Sequence, residues 1–175
     1  MPCGLPLIES AMAENKPLAL HFYNPNIYPF GEYQKRLAET ERIAAAYGLE
    51  LYRGEYDHDE WAAFVGSNLL EAPENYPENS PRCTACFRYR IEKTASFAKE
   101  NGFMEFATTL SVNRFKDTVF INNYGKFIAD KMQLKYKLFE LNAIEAHRIG
   151  VELSRKHRVY RQKYCGCEFS LPKAV

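Results

Sequence analysis

Four of the five cysteines stand in two tight pairs, Cys83-Thr84-Ala85-Cys86 and Cys165-Gly166-Cys167, far apart along the chain. Each pair closes too small a loop for a structural disulfide framework. Each is spaced to chelate, because thiolates two or three residues apart reach one face of a metal ion or an iron–sulfur cluster. If both pairs serve one centre, the fold must carry residues 165–167 back against residues 83–86. No other feature constrains the topology as strongly.

A chain of 175 residues with 46% hydrophobic content fits one packed domain, 1–175. The formal net charge of +1 does not advertise a polyanionic partner. Local charge does. Arg82, Arg88 and Arg90 surround the first cysteine pair, and Arg155, Lys156, Arg158, Arg161 and Lys163 lead into the second. A basic cluster is often only a solvated face, but clusters flanking candidate metal ligands point to a nucleic-acid or phosphate-bearing substrate. No apolar run approaches the ~20 residues that span a bilayer. The N-terminus lacks the basic start and apolar core of a secretory signal. The expectation is a cytoplasmic, reducing location without a membrane partner, which disfavours disulfides.

The hydrophobic pattern alternates helices and strands. Leu5 to Ala13 is a short amphipathic helix, Pro17 to Tyr23 a strand ended by Asn24-Pro25-Asn26, and Glu32 to Tyr47 a helix closed by Gly48. Leu49 to Tyr52 reads as a strand, and Asp57 or Asp59 caps a helix through Trp61 and Val65. Glu71 to Pro81 is a polar loop, and the helical pattern of Phe87 to Asn101 has Cys83 and Cys86 at its start. Strands at Phe103 to Leu110 and Leu134 to Leu138 alternate with helices at Lys116 to Lys131 and Asn142 to His157. This order predicts an α/β fold, a parallel sheet with helices on both faces and binding at the carboxyl ends of the strands. Asn24 and Thr108-Thr109 should therefore face one crevice. A doubly wound sheet opens with a strand, whereas this sequence opens with Met-Pro-Cys and a helix, so the first strand is expected to be missing.

Cys83 and Cys86 at a helix start beside Arg82 should have lowered thiol pKa values. A thioredoxin-like dithiol would follow the first strand, whereas this pair follows a polar loop in mid-chain. Spacing alone does not choose between zinc and iron–sulfur. His21, in an apolar strand, reads as a core histidine with a satisfied hydrogen bond, and His58, His147 and His157 as surface residues. Asp117 is either a helix-start carboxylate or a site residue. Tyr160 and Tyr164 bracket Arg161, rings and donors of the kind that hold an unstacked base.

Four collinear segments carry a resemblance. These are HFYNPNIYP from His21 to Pro29 with Glu32-Tyr33 and Arg36-Leu37, R-C-x-x-C-F-x-x-R from Arg82 to Arg90, Thr108-Thr109-Leu110, and YRQKYCGCEFS from Tyr160 to Ser170. Together they resemble the QueH-type epoxyqueuosine reductases over nearly the whole chain. The resemblance implies an adenine-nucleotide hydrolase-like (PP-loop/HUP-like) sheet and reduction of epoxyqueuosine to queuosine at the wobble position of tRNA, the last step of queuosine biosynthesis. It implies a 4Fe-4S cluster with an adjacent mononuclear iron, no cobalamin, and an unidentified electron donor. Cys83, Cys86, Cys165 and Cys167 would hold the cofactor, with Cys3 as a further metal ligand. Asp117, Tyr160 and Arg161 are the candidate catalytic residues. Arg82, Arg88, Arg90, Lys116, Arg158, Arg161 and Lys163 are the candidate tRNA-binding rim. Family members usually begin with a strand leading into a C-C-A-P-(C or D) motif, and here Pro2-Cys3 matches its end. The alternatives are a non-catalytic zinc-stabilised RNA-binding module and an inactive truncated homologue.

Overall fold

In the computed structural model, residues 2–139 and 143–171 are described. The expected helix start at Asn142 lies outside them. Among the described residues, six α-helices and four short strands follow in the order α1 (Leu5–Ala13), β1 (Ala19–Phe22), α2 (Phe30–Tyr47), β2 (Glu50–Arg53), α3 (His58–Ser67), α4 (Pro81–Glu100), β3 (Glu105–Phe106), α5 (Thr118–Met132), β4 (Lys135–Tyr136) and α6 (Ala143–Lys156). Gly48 closes α2 in the left-handed region at φ 64°, as its sequence position predicted.

The fold is mixed α/β with parallel strand pairing, but the described strands do not form one sheet. β1 pairs with β2 from Ala19 opposite Glu50 to Phe22 opposite Arg53, and β3 pairs with β4 through Glu105–Lys135 and Phe106–Tyr136. A cleft of about 1190 Å³ is lined by residues of both pairs, among them Ala19–Phe22 of β1 and Glu105 and Phe106 of β3. Asn24 and Thr108-Thr109 do share it. β3 is also far shorter than the expected Phe103–Leu110. The Thr108 hydroxyl accepts the Leu110 amide at 3.2 Å and turns the backbone into a 3-10 segment, Thr109–Val112, which ends the strand.

α4 is the longest helix and the hub of the packing. Its Phe87, Ile91, Ala95 and Ala98 meet Phe106 of β3 and Ile121 and Ile128 of α5, all buried. Its Ala85, Cys86 and Tyr89 meet Trp61 and Val65 of α3. Full burial of a side chain such as Ile91 or Trp61 contributes about 1.5–3 kcal/mol. The helix begins at Pro81, six residues before the periodic pattern, because proline suits the first helical position, where its missing N–H costs nothing. Cys83 and Cys86 therefore sit inside the first turns on one face.

His21 is not the core histidine with a satisfied hydrogen bond that the sequence suggested: it is half-buried and lines the cleft, and its Nδ1 is buried without a hydrogen-bond partner. Its ring instead stacks on Phe97 at 4.0 Å between centroids and on Tyr23 at 5.8 Å. Burial pushes its pKa down to about 4. The unfolded chain thus takes up the proton first as pH falls, so the stability tied to the neutral ring is complete above the ordinary value near 6.5 and lost as pH drops towards about 4. The ring retains some solvent access, which limits this contribution to about 1–2 kcal/mol. Urea unfolding of His21→Gln should show a shallower loss of stability across that pH window than the wild type. An identical pH slope would contradict the assignment.

Candidate metal centre and active-site cleft

The first turns of α4 and the turn at residues 165–167 meet, and the N-terminal segment joins them. Cys86 and Cys167 are buried in one apolar cluster with Ala85, Trp61 and Tyr89. Cys86 also senses the charge of Cys165 and Cys167, Cys167 that of Cys165 and Cys83, and Cys3 that of Cys165. All five thiols are free. Cys3 and Cys165 line the cleft itself. Among the described residues, no three His, Cys, Asp or Glu side chains stand as a ready-made metal site.

Desolvation dominates the thiol chemistry. Burial pushes Cys86 up to about 11 and also raises Cys3 and Cys167. The expected lowering of Cys86 by the helix dipole is therefore not seen, because removal from water outweighs it. Nearby donors oppose the rise without reversing it: Arg90 and Trp61 act on Cys86, and Arg82 on Cys167. The Trp61 indole N–H reaches no acceptor at hydrogen-bond geometry, so its pull on Cys86 is that of a nearby dipole. Nε of Arg82 and of Arg90 is likewise buried without a partner.

Lys116 lies at the heart of this region, its Nζ 3.1 Å from Cys165 Sγ and 5.2 Å from the centre of the Phe87 ring. Burial pulls its pKa down, but the Cys165 sulfur more than offsets this, and the ammonium holds its proton. The donor set fits a thiolate-bound metal group. All five thiols are reduced and three are unwilling to ionise alone, and near Cys86 and Cys167 stand Trp61, Arg82 and Arg90, each with a buried N–H that lacks an acceptor. A bound metal cation deprotonates such thiols outright, and the sulfurs of a thiolate-bound group are acceptors of the kind those N–H groups lack.

The C-terminal turn is held by residues of α2 whose role sequence reasoning had not assigned. Glu32 and Arg36, both buried, form an ion pair with Arg36 Nε 2.8 Å from Glu32 Oε1. Arg36 Nη1 donates to the Cys165 carbonyl at 3.1 Å and Nη2 to the Tyr164 carbonyl at 3.4 Å. The Tyr160 hydroxyl donates to both Glu32 oxygens, at 2.9 and 3.1 Å. The i, i+4 spacing of Glu32 and Arg36 was visible, but nothing in it distinguishes a buried clamp from a surface pair. Removing one partner of a buried pair typically costs about 3–5 kcal/mol.

The other anticipated residues are distributed as follows. Asp117 caps α5, its Oδ1 accepting the Phe120 amide at 2.9 Å. The Tyr164 ring lies under the Arg36 guanidinium at 5.2 Å, and its hydroxyl donates to the Tyr28 carbonyl. Arg82 turns inward to the Pro73 carbonyl at 2.8 Å and over the Phe169 ring, and Arg90 donates to Asn24 Oδ1 at 2.6 Å. Arg88 reaches Tyr124 and Asn68. Arg158, Arg161 and Lys163 are exposed, the latter two lining the cleft. His58 is not a surface residue: its Nδ1 lies 2.7 Å from the Pro25 carbonyl, and its ring packs on Tyr28, Tyr56 and Trp61.

Gly166 is the tightest point of the turn. Its φ of 134° lies where only glycine is at ease, and a Cβ there would stand 2.9 Å from Arg36 Nη1. Gly166→Ala should destabilise the protein by about 1–3 kcal/mol, read as a lowered Tm. An unchanged Tm would show that the turn is not held as described.

Comparison with known proteins shows the family. The family model described as epoxyqueuosine reductase QueH matches residues 1–173. The chain is 35% identical to the epoxyqueuosine reductase QueH of Histophilus somni over 171 residues, covering 97% of this chain and 68% of that protein. It is 34% identical to that of Haemophilus influenzae over the same shares, and 33% identical to that of Thermotoga maritima over 97% of this chain and 87% of that protein. A match spanning both cysteine pairs, the Glu32–Arg36 segment and the cleft-lining threonines places this chain in the epoxyqueuosine reductase QueH family.

Proposed function

We propose that the protein reduces epoxyqueuosine to queuosine at the wobble position of tRNA, the last step of queuosine biosynthesis. The observation that carries this reading is the burial of Cys86 of α4 and Cys167 of the C-terminal turn in one cluster, with Cys165 and Cys3 at the cleft and the Lys116 ammonium against the Cys165 sulfur. The reaction removes the epoxide oxygen as water, so it consumes two electrons and two protons per turnover. Protein side chains alone are poor one-electron carriers, which is why a reduction of this kind calls for a redox group. Cys83, Cys86, Cys165 and Cys167, with Cys3, would hold a 4Fe-4S cluster and an adjacent mononuclear iron. When bound, that group supplies Lewis acidity and electrons delivered singly from an external donor.

The chain's own residues supply the rest. Lys116 keeps a proton and a positive charge beside Cys165, where it would balance the negative charge of a thiolate-held redox group. Asn24, fixed by Arg90, and Thr108-Thr109 offer polar groups along the cleft wall for the hydroxyls of the cyclopentane ring. Arg161 and Lys163 at the cleft, with Arg158 nearby in sequence, provide exposed cations for tRNA phosphates. The substrate base must leave its stack to enter, as bases do in other enzymes that act on them. Parallel strand pairs that both contribute residues to one cleft also support the PP-loop/HUP-like reading of the fold. Among the described residues, no helix is long and apolar enough to cross a membrane.

Protein loaded anaerobically with iron and sulfide should be brown, with broad absorption near ~400 nm, and should convert epoxyqueuosine in tRNA to queuosine once a reductant is added. Cys86→Ala should lose the colour and the turnover together. A colourless zinc protein, or a loaded protein that leaves the epoxide intact, would overturn the proposal. Arg161→Ala should keep its cluster while its tRNA affinity loses about one unit of salt slope. An unchanged slope would remove Arg161 from the tRNA interface.

A further inference from the structure

We infer that Arg36, oriented by Glu32, is a positioning residue that sets the backbone of Cys165-Gly166-Cys167 so that both thiols face the start of α4. The inference rests on the reading of these cysteines as metal ligands. Beyond α6 the described chain forms no strand or α-helix, so the carbonyls around Cys165 have no ladder to satisfy them. Arg36 takes that place with three nitrogens in a fixed plane. Nε is committed to Glu32 at 2.8 Å, which leaves Nη1 and Nη2 aimed at two successive carbonyls, Cys165 at 3.1 Å and Tyr164 at 3.4 Å. The Tyr28 amide grips the next carbonyl, that of Gly166, at 2.8 Å. Three consecutive carbonyls are thus fixed by two elements of the body of the fold. The space that a side chain at position 166 would need is taken by Arg36, Ile27 and Asn26. Tyr160 closes the loop by donating back to Glu32 from the same irregular segment.

A lysine at position 36 could keep the ion pair with Glu32. Its single nitrogen could not also bridge two carbonyls, because only the planar guanidinium presents parallel donors. A pair serving only to attach α2 to the C-terminal segment would tolerate that exchange, whereas a positioning clamp would not.

The experiment uses cobalt(II) as a metal probe, followed by its thiolate charge-transfer absorption, together with hydrogen exchange at the Tyr28 amide in metal-free protein. Arg36→Lys should unfold cooperatively, bind cobalt about tenfold or more weakly than the wild type, and lose protection at the Tyr28 amide. Tyr160→Phe, which removes only the outer hydrogen bonds, should show the same changes to a smaller degree. Cobalt affinity and Tyr28 protection both unchanged in a folded Arg36→Lys protein would overturn the inference. Should Arg36→Lys fail to fold, Tyr160→Phe decides it: weakened binding supports the clamp and unchanged binding rejects it. A wild type with no thiolate–cobalt band, but with Tyr28 protection that falls in Arg36→Lys, would refute the ligand reading while leaving the positioning role standing.

Discussion

A guanidinium in the middle of α2 supplies hydrogen bonds that the irregular C-terminal segment cannot make for itself. Arg36 is fixed by Glu32 within its own helix and reaches the carbonyls of Tyr164 and Cys165, more than a hundred residues later in the chain. Without that contact, the backbone carbonyls of Tyr164 and Cys165 would lose the side chain that holds them, leaving the Tyr28 amide on the Gly166 carbonyl, local bonds to Ser170 and side-chain contacts to locate the turn. The positions of Cys165 beside Lys116 and of Cys167 in the apolar cluster of α3 and α4 both follow from it. The site is thus assembled by tertiary contact, with α4 as its fixed side and the C-terminal turn as its fitted side.

Burial gives the site its chemical character. Cys86 at a pKa of about 11 is a poor nucleophile and a poor redox dithiol at neutral pH. The same desolvation strengthens any interaction between a thiolate and a metal cation that enters, since no water competes for either. Lys116 and the buried nitrogens of Arg82 and Arg90 bring positive charge and donors to a region that has few acceptors of its own. Such surroundings favour an anionic assembly of thiolates and sulfides over free thiols.

Much of this was legible from local sequence. The alternation of helix and strand, the Gly48 cap and the spacing of both cysteine pairs reflect backbone and side-chain preferences that act within a few residues. What was not legible depends on distant partners. β3 stops early because the Thr108 hydroxyl captures a backbone amide, a choice that the apolar run from Phe103 conceals. The raised pKa of Cys86 comes from its burial in a cluster assembled from residues distant in sequence, so the dipole argument made from its helix position alone gave the wrong sign. Arg82, Arg90 and Lys116 look identical to rim cations in sequence, and only the tertiary fold turns them inward. Glu32 and Arg36 read as one more helix-face pair, and His58 as one more surface ring, until the segments they hold are in place.

The claim on which this account rests is that the two cysteine pairs serve one centre. Anomalous diffraction at the iron edge from anaerobically loaded crystals tests it directly. The account predicts a single compact group of iron peaks, in bonding contact with sulfurs from both α4 and the C-terminal turn, with those sulfurs within ~10 Å of one another. Iron bound by one pair alone, or two separate sites further apart than that, would contradict it.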